Sequence, residues 1–337
     1  MADHRAAKIG YVDGERAREV GLGGLHARLM RFAPYRGFFG LMSRLGLSGR
    51  TAVILIPYLW LLVFFLTPFL IVLKISFSEI RVAMPPYAPL FELVEGVYLQ
   101  VTLNLENYRL LFEDSLYWAS YLNSVKIAAI STVLALLVGY PMAYAMARAP
   151  RQWRLPLVML VILPFWTSFL IRVYAWIGIL KQEGLLNLAL LKLGVISAPL
   201  TILGTDIAVY IGITYSYLPF MVLPLYTSLE KQDGSLLEAA MDLGCRRLKT
   251  FWVVTLPLSL PGIVAGCFLV FIPAVGEFVI PDLLGGSDTL MIGKTLWDEF
   301  FANRDWPLSS AVAVVLLLIL IIPIVIFQRW QEHREEP

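Results

Sequence analysis

Two runs constrain this chain more than any other feature: AVILIPYLWLLVFFLTPFLIVL at 52–73 and AVAVVLLLILIIPIVIF at 311–327, neither broken by a charge. Crossing the hydrocarbon of a bilayer takes about 20 mostly apolar helical residues, because a helix satisfies its own backbone there. Four more runs approach that standard, which predicts spans at 52–75, 122–147, 155–180, 201–228, 255–280 and 309–328. Lys126, Arg172 and Asp206 fall in the second, third and fourth, at positions read as span ends from which a charge reaches the interface. Composition agrees: the chain is 58% hydrophobic and 15% charged, with mean hydropathy +0.73, where soluble domains carry about 25% charge. The predicted class is an all-α membrane protein with six transmembrane helices. A net charge of +2 is too small to argue for nucleic acid, and the lipid bilayer is the first partner implied.

The fifth run is the least regular, since Pro257, Pro261, Pro273 and Pro281 punctuate it. Prolines inside a helix free backbone groups that protein or water must satisfy, so a broken fifth helix is expected to line a cavity. Basic residues mark the cytoplasmic side. The first fifty residues hold nine, from Arg5 to Arg50; 148–154 holds Arg148, Arg151 and Arg154; and 229–254 holds Lys231, Arg246, Arg247 and Lys249. The 76–121 and 276–308 connections lean acidic. With six spans these biases agree on both termini inside. The N-terminal stretch is Arg-rich and lacks a small-residue cleavage site, so it reads as a cytoplasmic tail rather than a signal peptide. An interfacial helix over LHARLMRFAPYRGFFGLMSRLG fits its interleaved arginines and large apolar residues. The expected organisation is a tail at 1–50, a first helix and periplasmic loop at 51–121, a five-helix core at 122–328 and a short cytoplasmic tail at 329–337. Cys245 and Cys267 read as packing residues, and His4, His26 and His333 all lie in polar ends, so no metal site is expected.

Between the fourth and fifth spans runs LEKQDGSLLEAAMDLGCRRLKTFWVVTLPLSLPG. Ser235 followed by Glu238 reads as a capping box opening a short helix. Ala239 and Ala240 allow close approach of a partner surface, Gly244 suits a left-handed turn ending that helix, and Pro257 suits the first turn of the next. These residues fit equally a membrane elbow or a docking element. Their pattern, Glu238-Ala239-Ala240, then Gly244, Phe251, Leu256-Pro257 and Pro261, resembles the EAA loop of bacterial ABC importer permeases, with Val254 where the family often has Ile. The resemblance covers roughly 120–328. It implies a coupling helix that seats on a cytoplasmic ATPase, with Glu238, Ala239, Ala240, Gly244, Leu256 and Pro257 as coupling residues.

A finer resemblance lies in PFWTSFLIRVYAWIGILKQEGLLN at 164–187 and GEFVIPDLLGGSDTLMIGKTLWDEFFANRDWPLSSA at 276–311. Both are similar to the polyamine branch, the putrescine and spermidine permeases, and among these to the putrescine-type subunits that pair with a second, related permease. That implies a sister permease subunit, two cytoplasmic ATPase subunits and a periplasmic substrate-binding protein in a bacterial inner membrane. It also implies that ATP and Mg belong to the ATPase, with no cofactor and no catalysis on this chain.

A polycation needs carboxylates and aromatic faces in place of water, because even one charge at a helix centre costs at least about 2.5–3.5 kcal/mol, and a desolvated ring returns about 2 kcal/mol per cation. Glu277, beside Phe278 at the outer end of the fifth span, is the first path candidate; a rim carboxylate paired with Lys294 or Arg304 is its alternative. Asp282, and Asp298 with Glu299 beside Trp297, are further candidates to receive substrate or its delivering protein. Asp206 fits either the path or the interface. Trp166, Tyr174 and Trp176 fit an interfacial belt or path walls, as do Tyr215, Tyr217 and Phe271. Arg172 would repel a cationic cargo and is expected to pair with a carboxylate or reach outward, with a gate role as the alternative. Gly293-Lys294-Thr295 imitates the end of a phosphate loop, but Asp288 stands where its first glycine belongs. A secondary transporter would want inverted repeats, and an anion permease would want a basic outer mouth; neither pattern is present.

Overall fold

The computed structural model describes residues 49–94 and 98–335, so the expected interfacial helix at 25–46 lies outside the described residues. Helix α1 runs over Gly49–Leu61, through a π turn at Leu62–Leu66, and on over Thr67–Ser76. Its apolar side chains from Val53 to Leu66 are exposed, and hydrocarbon is the solvent they suit. The remainder forms a second compact unit from Val72 onward. There an antiparallel pair, β1 (Phe91–Val94) and β2 (Tyr98–Val101), pairs Phe91 with Val101 and Val94 with Tyr98. This pair and an isolated bridge between Ile80 and Tyr87 are the departures from an all-α chain among the described residues.

After the short α2 (Glu106–Glu113) comes the long α3 (Ser115–Arg148), capped by Asp114, whose side chain accepts from the Leu116 N–H at 2.8 Å. Next are α4 (Arg151–Ile162) with a 3-10 turn at Leu163–Trp166, α5 (Phe169–Leu180) and α6 (Leu185–Lys192). Then follow α7 (Asp206–Glu230) and α8 (Gly234–Asp242). The long α9 comprises Arg247–Thr250, a π turn at Phe251–Thr255 and Leu256–Val275. Last come α10 (Val279–Leu284), α11 (Ile292–Phe301) and α12 (Trp306–Glu335).

Four of these are long and apolar enough to cross a membrane: α1, α3, α7 and α9; α12 has a shorter apolar stretch, Trp306–Ile322. Three sequence expectations need correction. The predicted third span is two helices meeting at an 89° bend between Trp166 and Phe169. Thr167 takes an extended conformation there, its hydroxyl donating to the Pro164 carbonyl at 2.8 Å. The fifth span, expected at 255–280 and broken along its prolines, is continuous from Arg247 to Val275 and breaks only at its outer end, over 276–278 before α10. Its π turn lies just ahead of Pro257, which stands in the first turn of the Leu256–Val275 segment as its sequence position implied. The cap of α8 is Asp233, which accepts from the Ser235 N–H at 3.0 Å, in place of the expected Ser235–Glu238 box.

Helices α3, α7 and α9 form the centre. Ala135, Tyr140 and Ala143 of α3 meet Met221, Val222 and Leu225 of α7 and Val270 of α9 in one buried cluster. A second cluster joins α3, α5, α7 and α10 through Ile127, Val173, Ile213 and Ile280. Lipid offers no hydrophobic drive between helices, so small residues and hydrogen bonds hold them. A Cβ on Gly266 would fall 2.7 Å from Met221 Sδ, and one on Gly262 would fall 2.5 Å from Ser228 Cβ. Tyr140 and Ser259 hydroxyls meet at 2.9 Å between α3 and α9, and Tyr121 donates to the Val312 carbonyl at 2.7 Å.

Candidate functional site

The two groups of residues singled out by sequence sit at opposite ends of this bundle. At one end, which carries the basic connections, the Arg154 guanidinium reaches Glu230 at 3.3 Å and ties the α3–α4 turn to the end of α7. Helix α8 follows directly. Gly244 beyond it has φ +84, the left-handed conformation its sequence position implied, and the Cys245 N–H donates to the Ala240 carbonyl at 3.1 Å. Glu238 and Ala239 are exposed and Ala240 is half-buried. Leu236, Met241 and Leu243 are exposed around them, the last at 87%. Large apolar side chains beside an exposed carboxylate make a face suited to another protein rather than to water. Leu256 is half-buried and Pro257 exposed, further along α9. Hydrogen bonding of the exposed Asp233 carboxylate to the Ser235 backbone and side chain holds it below the usual carboxylate range.

The other end carries the acidic connections, and there the structure separates the nominated residues. Glu277 is 7% exposed. One carboxylate oxygen accepts from the Val279 and Ile280 N–H groups at 3.0 and 3.4 Å, the other from the Tyr217 hydroxyl of α7. It therefore caps α10 and pins it to α7, and Lys294 pairs instead with Asp282 at 3.5 Å. Lys294 stands on α11, so the imitation phosphate loop is helical. Glu299 accepts from Tyr117 at 2.9 Å and from Asn303 at 2.8 Å, while Asp298 beside it is exposed. Asp206 accepts from the Thr289 hydroxyl at 2.8 Å, a bond that ties the start of α7 to the α10–α11 loop. Phe271 is half-buried against the core, and Tyr174 is 58% exposed on α5. Asp305, ahead of α12, is pushed up by burial and by Glu299, against the Leu308 N–H that donates to it at 2.9 Å.

Trp297 is not alone, a feature sequence reasoning missed. It stacks on Phe278 at 4.4 Å and meets Phe301 at 4.1 Å. Phe301 meets Phe300 at 4.8 Å, Phe300 stacks on Trp306 at 5.0 Å, and Trp306 meets Tyr87 at 6.2 Å. The ladder of six rings draws on four separate segments, and only the FF pair at 300–301 hinted at it. Trp297 and Phe301 remain exposed, with Asp298 between them in sequence. Ring faces beside carboxylates attract organic cations.

Among the described residues Arg172 pairs with no carboxylate. Its guanidinium carbon lies 5.0 Å from the Phe165 ring centre and 5.7 Å from that of Phe169, across the α4–α5 bend, and its Nε is buried without a partner. Trp176 packs edge-on against Tyr215 at 5.3 Å. Among the described residues no group of His, Cys, Asp and Glu is placed to hold a metal.

The chain belongs to the family of binding-protein-dependent transport system inner membrane components, whose model matches residues 135–336. It is accordingly a multi-pass protein of the inner membrane. It is 43% identical to the spermidine/putrescine transport system permease protein PotB of Haemophilus influenzae over 274 residues, 81% of this chain and 91% of that one. To PotB of Escherichia coli it is 40% identical over 270 residues, 80% of this chain and 93% of that protein. A crystal structure of a bacterial ABC transporter that imports alginate shares the fold, with TM-score 0.61 and 16% identity, covering 89% of this chain and 99% of that one.

Proposed function

We propose that this chain is the polyamine-conducting permease subunit of an ATP-driven importer. The observation that carries the cargo is the acidic, aromatic end: exposed Trp297 and Phe301 on a six-ring ladder, flanked by Asp282, Asp298 and Glu299. The relatives at 40–43% identity are named for spermidine and putrescine transport, which supports the same cargo. In this reading the chain crosses six times, with the bent α4–α5 pair as one span and α12 as the last, and both termini are cytoplasmic. The basic end then faces the cytoplasm. Helix α8 is the coupling helix, and Glu238, Ala239, Ala240 and Gly244 seat it on one of two ATPase subunits, which bind ATP and Mg. A sister permease completes the path, and a periplasmic binding protein delivers substrate to the acidic end. Asp282, Asp298 and Glu299 with Trp297 receive it, Tyr174 and Phe271 line the way, and Glu277 holds the floor of the mouth by capping α10.

ATP hydrolysis by the reconstituted complex with its binding protein, titrated with putrescine, spermidine and an uncharged solute, tests this. Stimulation by the polyamines alone is expected. An active complex that ignores both leaves a permease of this family with a different cargo.

A further inference from the structure

Behind α8, between it and the bundle, lies a cavity of about 330 Å³ lined by Tyr144 and Arg148 of α3, Leu237 and Met241 of α8, and Arg247, Thr250, Phe251 and Thr255 of α9. Its size is at the low end of small-ligand sites, about 300–1,000 Å³. The lining divides into two chemistries. Leu237, Met241 and Phe251 make an apolar wall. Arg148 and Arg247 stand on separate helices with no carboxylate among the lining residues, and among the described residues neither forms an ion pair. The Arg148 guanidinium is held 5.5 Å from the Tyr144 ring centre, which leaves its N–H edge free to donate. The N-terminus of α9, 29 residues long, has no side-chain cap, so its first N–H groups add to the positive potential at Arg247. Next to the lining residues in sequence, Leu248, Trp252 and Val253 are exposed apolar side chains, 78%, 64% and 59% accessible. Exposed apolar side chains of this size suit the acyl chains of a lipid better than water.

Two guanidinium groups over an apolar wall, at the depth where two membrane helices end, match a phosphodiester attached to acyl chains. Basic pockets between transmembrane helices on the cytoplasmic side bind anionic headgroups for this reason. We propose that this cavity binds the headgroup of one anionic phospholipid, clamped between Arg148 and Arg247, behind the coupling helix. The inference rests on the cytoplasmic placement of the basic end and not on the cargo. A lipid there fills the space that α8 would otherwise collapse into, and so fixes the height of α8 above the bundle.

The test is native mass spectrometry of the whole transporter released from nanodiscs of phosphatidylcholine with phosphatidylglycerol. Wild type is expected to keep phosphatidylglycerol selectively, and the double variant Arg148→Gln/Arg247→Gln to keep less, by about fivefold for each arginine lost. Leu237→Trp fills the cavity and leaves both arginines in place; it must lower retention too. Equal retention in wild type and the double variant overturns the site. Undiminished retention in Leu237→Trp puts the lipid on the open surface and overturns the cavity. Displacement of phosphatidylglycerol by added inorganic phosphate makes the ligand a soluble anion and overturns the lipid assignment. Loss of the ATPase subunits from the double variant with lipid unchanged shows that the arginines pair with protein carboxylates instead, and overturns the proposal as well.

Discussion

Glu277 shows at the scale of one residue how a functional nomination changes when its partners are known. A carboxylate beside a break at the outer end of a helix reads from sequence as an open cation site. In the fold both its oxygens are taken, one by the first N–H groups of α10 and one by Tyr217, sixty positions earlier in the chain. No local pattern announces a partner at that separation. Tyr217→Phe removes one donor from a buried carboxyl group and is expected to cost about 1–3 kcal/mol, read as a lower unfolding temperature of the purified complex. Glu277→Gln keeps an acceptor for Val279 and a donor for Tyr217, so it should cost about 1 kcal/mol and leave the polyamine concentration for half-maximal uptake within about twofold. A tenfold rise in that concentration with an unchanged unfolding temperature would return Glu277 to the path. Asp298 and Trp297 were legible because they are exposed neighbours on one short helix; the rings that extend Trp297 into a ladder were not, since Tyr87 and Phe278 come from distant segments.

Among elements, the first, second, fourth and fifth spans were legible as long apolar helices, with ends shifted by up to eight residues, because hydropathy over twenty residues outweighs local irregularity. The breaks were not. Counting prolines pointed to α9, yet proline disrupts a helix only where the freed carbonyl and the ring clash are left unrelieved. Pro257 stands in the first turn after the π turn at Phe251–Thr255, and α9 stays continuous from Arg247 to Val275. In the third span Pro164 is followed within four residues by Thr167 and Ser168, whose extended backbone completes the bend. Helix α9 also depends on its glycines. Gly266→Leu places a branched side chain against Met221 Sδ and backbone, with overpacking costs of at least about 1–3 kcal/mol, and should abolish recovery of the monodisperse complex; Ala265→Leu, at a half-buried neighbour, should be tolerated. For α8 the cap governs. Hydrogen bonds that lower the Asp233 pKa stabilise the helix above the unfolded value, ordinarily 3.8, and that support fades as pH falls through the depressed native pKa. Asp233→Ala should therefore speed amide exchange at Ser235 and Leu236 at neutral pH, and the difference from wild type should vanish at strongly acid pH.

Across the whole molecule, the proposed cargo mouth and the proposed coupling helix lie at opposite ends of three packed helices, and on that proposal one end reports to the other through α7 and α9. Helix α7 carries Tyr217, which binds Glu277 at the acidic end, and finishes in Glu230, paired with Arg154 beside α8. Helix α9 starts just after α8 and ends two residues before Glu277. A rigid tilt of this pair moves both ends at once. Reversing a charge on the outer face of α8 interrupts that chain of contacts at its first link without touching the bundle. Glu238 is exposed and makes no hydrogen bond or ion pair among the described residues, while Asp233 and Gly244 continue to define the helix. Glu238→Lys should consequently leave the unfolding temperature and membrane yield unchanged. It should lower ATP hydrolysis stimulated by substrate-loaded binding protein at least about tenfold, the scale of a mispaired interface charge, and reduce co-purification of the ATPase. Glu238→Gln, which removes charge without reversing it, should fall between. Full stimulation in Glu238→Lys would mean that α8 is a membrane elbow, and that the ATPase grips another part of the basic end.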